Sequence, residues 1–288
     1  MFESNVSLQA AGLIALADLL PVTVRTALSG TASYSDALVL APSMHQQQTV
    51  SEINRGEFPI TGAMTTGYIF RIENPATVYY LQSIGVTGHL VTAHVFSPAR
   101  KSLLRSFFVP STLLYAIYWW ALGVLGGFVV SRLVNVIIIK RRDERGWKGQ
   151  KEPGVEGDLF ILLCHDRWVR LRGSVDDLKA VTSGQWLRDL TPMESFTVTC
   201  ATMLVYVSAV LAFNASPVGS FLIGFLLLST AVLLTLCNSL TGCLQMCDRV
   251  IRRVGAPKNY ERRLVLAQEL IAEIGPGRLG YRYGIGAS

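Results

Sequence analysis

Residues Phe196–Asn238 read FTVTCATMLVYVSAVLAFNASPVGSFLIGFLLLSTAVLLTLCN. These 43 residues contain no charged side chain. A helix crosses a bilayer with about 20 apolar residues, so the stretch holds two spans, 196–215 and 218–238. Only Ser216 and Pro217 separate them, and a break that short forces an antiparallel helical hairpin. Pro217 lacks an N–H and suits the first turn of the second helix. Upstream, Thr191-Pro192-Met193-Glu194 reads as a helix start: an N-cap threonine, proline at N1 and a glutamate at N3, which is a capping box. The Glu194 carboxylate also faces the positive end of the helix.

Working outward, Thr112–Ser131 (TLLYAIYWWALGVLGGFVVS) is a third uncharged span, bounded by Arg132. Leu8–Val24 is a weaker fourth, because it carries Asp18 and Pro21. An aspartate at a helix centre costs about 2.5–3.5 kcal/mol, and its eight Leu, Ile and Val residues return about as much. The segment is therefore read as an N-terminal anchor or a cleaved signal (residues 1–29). The lack of Lys or Arg near its start argues against the signal.

The chain has 288 residues, half of them hydrophobic and only 16% charged, with a net charge of +6. Ordinary domains carry roughly 25% charged residues, and that deficit excludes a disordered or coiled-coil chain. Positive residues mark the cytoplasmic side. Arg100, Lys101 and Arg105 precede the 112–131 span, whereas Lys140, Arg141, Arg142, Arg145, Lys148 and Lys151 follow it. This places 30–111 in an extracytoplasmic region. The 132–195 loop and the 239–288 tail are then cytoplasmic. Residues 1–111 are neutral, the loop from Lys140 to Asp189 carries +2 and the tail +4. The basic balance thus records orientation. Its counter-charge is the lipid bilayer, and no nucleic acid is expected. The location expected is the plasma membrane or endomembrane system, with a cytoplasmic C-terminus.

The inner loop is organised. Asp158–Cys164 and Trp168–Arg172 read as a β-hairpin around His165-Asp166-Arg167. Ser174-Val175-Asp176-Asp177 then starts a short helix. Arg141, Arg142, Arg167, Arg170 and Arg172 are candidates for contacts to anionic lipid headgroups, with solvated positive-inside charge as the alternative. Trp186 and Leu187 are read as docking at the membrane surface. In the tail, Leu264, Ala267, Ile271 and Ile274 repeat at helical spacing, so 260–274 is an amphipathic helix for a membrane surface or a partner. Between Phe58 and Phe96, β-prone runs suggest a small β-rich module or a loosely ordered loop.

No catalytic motif is present, and no enzyme activity, cofactor or metal is expected. Cys164-His165-Asp166 has the residue types of a nucleophile triad, but such triads meet in space rather than as sequence neighbours. Cys243 and Cys247, just inside the last span, are candidates for palmitoylation. Gly123 and Gly127 form a GxxxG, and Ser220 and Gly224 a small-xxx-small pair. Both are read as helix-packing positions, serving intramolecular packing or a homodimer. Asp18 and Arg132 are the only charges available to a transport pathway. Arg132 is read as snorkelling at the inner boundary.

The run Val169-Arg-Leu-Arg-Gly-Ser-Val-Asp-Asp-Leu-Lys-Ala-Val-Thr-Ser-Gly-Gln-Trp-Leu-Arg-Asp189, followed by a helical hairpin, resembles uncharacterised multi-pass membrane proteins of filamentous fungi. The resemblance spans about 160–275 and implies no activity or functional residue. The sequence therefore predicts an all-α membrane protein, with three transmembrane helices, an N-terminal fourth and a small mixed α/β cytoplasmic loop. It is expected to act as a scaffold, adaptor or accessory subunit through its cytoplasmic loop and tail, with a transporter or channel subunit as the alternative.

Overall fold

The computed structural model describes residues 8–47, 53–97, 119–143, 149–183 and 186–274. The chain divides into two compact units: a helical unit of residues 1–48, 103–143 and 187–241, and a sheet unit of 49–102, 144–186 and 242–288.

The helical unit contains α1 (Pro21–Ser29), α3 (Trp119–Arg142), α5 (Pro192–Leu211) and α6 (Pro217–Leu240). The last three are long and apolar enough to cross a membrane. The capping box at the start of α5 is present: Thr191 Oγ1 accepts from Glu194 N, and the Glu194 carboxylate accepts from Thr191 N at 3.1 Å. Pro217 stands at the start of α6 behind Ser216, whose hydroxyl accepts from Gly219 N. The side chains these helices leave exposed are mostly large and apolar, including Phe196, Val210, Phe221, Phe225 and Val232. Thr197, Thr199 and Thr235 return their hydroxyls to their own helix's carbonyls, which suits an apolar surrounding. Apart from Arg132, every charged residue of the three helices lies in a terminal turn.

Two expectations change in this unit. The first span is α3, which is described from Trp119 and runs past Ser131 to Arg142; residues 112–118 lie outside the described residues. Leu8–Val24 is not one helix. It is a 3-10 helix, Leu8–Leu16, a bend at Ala17 followed by irregular backbone over Asp18–Leu20, and then α1, which starts at Pro21. Pro21 cannot continue a helical ladder through its missing N–H. The backbone groups freed by the bend are met from elsewhere. Ser43 Oγ accepts from Leu19 N (2.9 Å) and donates to Ala17 O (2.8 Å), and Asn238 Nδ2 donates to Pro21 O (2.8 Å).

The sheet unit overturns the all-α reading. It holds an eight-stranded mixed sheet, with β1 Ile60–Ala63, β2 Ile69–Arg71, β3 His89–Phe96, β4 Glu156–Leu163, β5 Arg167–Ser174, β6 Cys243–Met246, β7 Arg249–Arg253 and β8 Lys258–Asn259. The order is β2-β1-β4-β5-β3-β7-β6, with β8 also on β3. β3 and β5 are parallel, Val91 opposite Val169 and Ala93 opposite Leu171; the other pairs are antiparallel. The all-α reading failed because three chain segments, each too short to look like a sheet, are separated in sequence by the apolar helices. The same ladder joins segments that the sequence reading threads to different sides: residues 60–96 are hydrogen-bonded to 156–174 and 250–259.

Alternation along the strands gives the sheet two covered faces. Val91, Ala93, Val95, Val169 and Leu171 are buried on one. There α4 (Val175–Thr182) lies over Gly157 through Val175 and Leu178, and α2 (Pro75–Ile84) is tied to α4 by Thr77 Oγ1 donating to Val181 O (2.7 Å). On the other face α7 (Arg263–Ile274) buries Leu266 and Leu270 against Trp168, Leu90, Met64 and Tyr260. The expected amphipathic helix exists, but its buried stripe is Leu266/Leu270, and Leu264 is exposed. Trp186 and Leu187 are fully buried, not surface docks.

Candidate functional site

The helical unit is built around polar groups that apolar helices rarely hold. Arg132 stands near the middle of α3, about 15 Å along the axis from either end of Ala121–Arg142 at 1.5 Å per residue. It is 3% exposed. Its Nε donates to Asp36 O at 3.4 Å, and one terminal nitrogen, Nη1, is buried without a hydrogen-bond partner among the described residues. Arg132 lines a cavity of about 50 Å³ together with Arg25, Thr26, Asp36, Thr230 and Leu233. Two guanidiniums and one carboxylate face the same space, and that carboxylate caps Ser33 N at 2.7 Å.

One turn further along α3, Asn135 is fully buried. Its Nδ2 donates to Ser131 O (3.2 Å) and Met44 O (3.4 Å), and its Oδ1 accepts from Gln47 Nε2 at 2.6 Å. Gln47 Oε1 accepts from Arg142 Nη1 (3.1 Å), and Arg142 Nε donates to Arg188 O (2.8 Å). Arg188 holds Glu194 with two bonds of 2.8 and 2.6 Å. A continuous polar chain therefore runs from mid-helix to the helix end. The 41–47 loop supplies its inner members, and His45 packs edge-on against Tyr206.

The sheet unit has a second charged cluster. Arg170 is 7% exposed and meets Asp158 through Nε and Nη2 (2.6–3.0 Å) and Glu273 through Nη1 and Nη2 (2.5 and 3.1 Å). Arg172, two residues along the same strand face, adds bonds to Asp158 and Glu273. Burial opposes the charge on Arg170, but the two carboxylates outweigh it and raise its affinity for the proton. The Arg170 and Arg172 hydrogen bonds hold the Glu273 carboxyl below the usual carboxylate range, against some burial. Glu273 sits in the last turn of α7, so this cluster fastens α7 to the sheet. Arg263–Asp166 and Lys258–Glu269 ion pairs assist.

The residues singled out from the sequence are thereby placed. Arg167 donates to Cys164 O and Gln82 O and lies 3.7 Å from Glu57. Arg142 is buried in the chain just described, and Arg141 is exposed. Gly127 abuts Ser208 on α5, whereas Gly123 meets no neighbour among the described residues. Ser220 is buried, and Gly224 lies against Ala11 and Ile14. Cys243 opens β6. Cys247 and Asp248, both with positive φ, form the two-residue β6–β7 turn. Such turns require positive φ at both positions. Cys164 N donates to Glu57 Oε1 at 2.6 Å, and a hydrogen bond from the Cys164 side chain to the same carboxylate raises the thiol above its ordinary value. His165 and Asp166 form a positive-φ turn beside it.

Sequence reasoning missed Asn135, Gln47 and Asp36. One signal was there: Leu133–Ile139 after Arg132 is apolar apart from Asn135, which marks Arg132 as mid-span. No protein family, curated protein or solved structure matches the chain.

Proposed function

We propose that the chain is a multi-pass integral membrane protein that works by binding a partner, as a scaffold, adaptor or accessory subunit, and holds its sheet unit in the cytosol. The observation that supports this is the single sheet assembled from segments before, between and after the apolar helices. Strands of one sheet occupy one side of a bilayer, so with α3 as one crossing this reading requires an even number of crossings between Phe96 and Glu156, and the basic excess of loop and tail favours the cytosolic side. The plasma membrane or endomembrane system is the proposed location.

Labelling with a membrane-impermeant maleimide tests the placement. Single cysteines at Val86, Lys151 and Glu261, all exposed, are expected to react only from the cytosolic face, and one at Phe213 only from the opposite face. Val86 and Lys151 reacting from opposite faces defeats the proposal. The binding role is tested by the mass of the particle extracted in mild detergent. A complex larger than the 31.5 kDa chain, lost on truncation after Asn259, is expected; a lone chain refutes it.

Arg132 favours a second reading, a transporter or channel subunit, since a buried charge at mid-span marks a pathway in many membrane proteins. Solute flux in proteoliposomes that Asp18→Asn and Arg132→Gln abolish would select it.

A further inference from the structure

We propose that the cavity at Arg132 is an anion-binding site that takes one carboxylate- or phosphate-sized group. The inference goes beyond both readings above and depends on neither. Three observations converge on it. Arg132, which lines the cavity, is almost completely buried at mid-helix, and its Nη1 has no hydrogen-bond partner among the described residues. A buried donor left unpaired carries a large desolvation penalty, greater still on a charged group. An anion at Nη1 removes that penalty.

The lining charge has the right sign. Arg25 and Arg132 face one carboxylate, Asp36, which is already engaged by Ser33 N. The hydroxyl-bearing Thr26 and Thr230 border the same space.

Size sets the ligand class. About 50 Å³ corresponds to roughly three to five water positions. That accommodates a carboxylate or a phosphate but not a headgroup bearing choline, serine or inositol. Access is from the side: Leu233 lines the cavity and is 43% exposed on the outer surface of α6. The same oxyanion chemistry arises from a free solute or from the end of an acyl amphiphile.

The test uses the purified full chain in an uncharged detergent, exchanged into gluconate buffer. One arm adds acetate or inorganic phosphate. The other adds oleate or dioleoyl phosphatidate, with methyl oleate and dioleoyl phosphatidylcholine as controls. Saturable stabilisation by either arm, raising Tm by about 5 °C near saturation, is expected, and the responding arm identifies the source. Arg132→Gln should weaken that binding about ten- to a hundredfold, the range for a charge-assisted hydrogen bond. Arg141→Gln, on an exposed residue, should leave it unchanged. If Arg132→Gln does not fold, Leu233→Trp at the mouth should abolish binding with the guanidinium intact. No stabilisation of the wild-type chain by any anion overturns the proposal. So does equal protection by methyl oleate, or undiminished binding in Arg132→Gln or Leu233→Trp.

Discussion

Gly123 and Gly127 offer a matched pair for testing how α3 packs. Both are helical, both belong to the GxxxG, and replacing either with alanine yields the same intrinsic gain of about 0.8–1 kcal/mol in helix propensity. Their surroundings differ. A Cβ added to Gly123 meets nothing within 4 Å among the described residues. One added to Gly127 overlaps Ser208 Oγ and stands 3.3 Å from Ser208 Cβ. Rotating the hydroxyl relieves the first conflict but not the second, so α3 and α5 must separate slightly. Overpacking of this kind costs about 1–3 kcal/mol. Gly123→Ala is therefore expected to stabilise the helical unit by up to about 1 kcal/mol, and Gly127→Ala to destabilise it by up to about 2 kcal/mol. The propensity terms cancel between the two, leaving the steric cost as their difference. Unfolding in a graded mixture of mild detergent and sodium dodecyl sulfate reads both. Gly127→Ala combined with Ser208→Gly should recover most of the loss. Equal effects of the two alanines, or a larger loss at Gly123, would refute the assignment of Gly127 to the α3–α5 contact and point to an interface between chains at Gly123.

Thr191→Ala removes the N-cap of α5 and should cost about 1 kcal/mol in the same unfolding measurement; no change would mean Glu194 and Arg188 hold the helix start unaided. Arg170→Leu leaves Asp158 and Glu273 with only the half-exposed Arg172 between them and should lower sheet-unit stability by up to about 3 kcal/mol, read as earlier exchange of β5 amides. Two carboxylates make the sheet unit acid-sensitive. Burial raises Glu57, but the Cys164 N–H, Gln82 and Arg167 outweigh it and hold it below the ordinary range; Glu273 is lowered by Arg170 and Arg172. A lowered carboxyl stabilises fully above the unfolded value near 4.5 and loses that contribution as pH falls through its folded value. Cleavage after Leu264 in α7 should therefore accelerate as pH drops below about 4.5, and Glu273→Gln should make cleavage fast at neutral pH and flatten the profile. A Glu273→Gln protein with wild-type protection at every pH would remove Glu273 from the latch.

Local structure was legible wherever a rule acts within a few residues. The helical hairpin, the Thr191 capping box, the β4–β5 hairpin and the Ser174 N-cap, whose hydroxyl accepts from Asp177 N at 3.2 Å, all follow from near-neighbour chemistry. The sheet was not legible, because pairing of Ala93 with Leu171 and with Arg253 is set by tertiary packing across long intervals. The β6–β7 hairpin left a faint trace: Leu244 and Met246 alternate into the core before the Cys247-Asp248 turn. Arg132 was misread for a physical reason. A charge normally ends a span because burying it is costly, and here α1 and the 36–39 stretch, neither marked in the sequence as a partner of α3, lie around it. The centre of the helical unit was invisible for the same reason: Asn135 and Gln47 are 88 residues apart.

The placing of β3 inside the sheet has a consequence for how the protein is made. Its neighbours are β5 on one edge and β7 and β8 on the other, and β7 ends at Arg253, 157 residues after Phe96. At about 5–20 residues per second of synthesis, β3 waits roughly 8–30 s before that second edge can close. The apolar helices α3, α5 and α6 must all emerge in the meantime. Throughout that interval Val91, Ala93 and Val95 have an unpaired edge, the kind of surface that invites association with other nascent chains. Ribosome pausing or a bound chaperone during translation of α5 and α6 would therefore govern yield more strongly than any single contact in the finished fold.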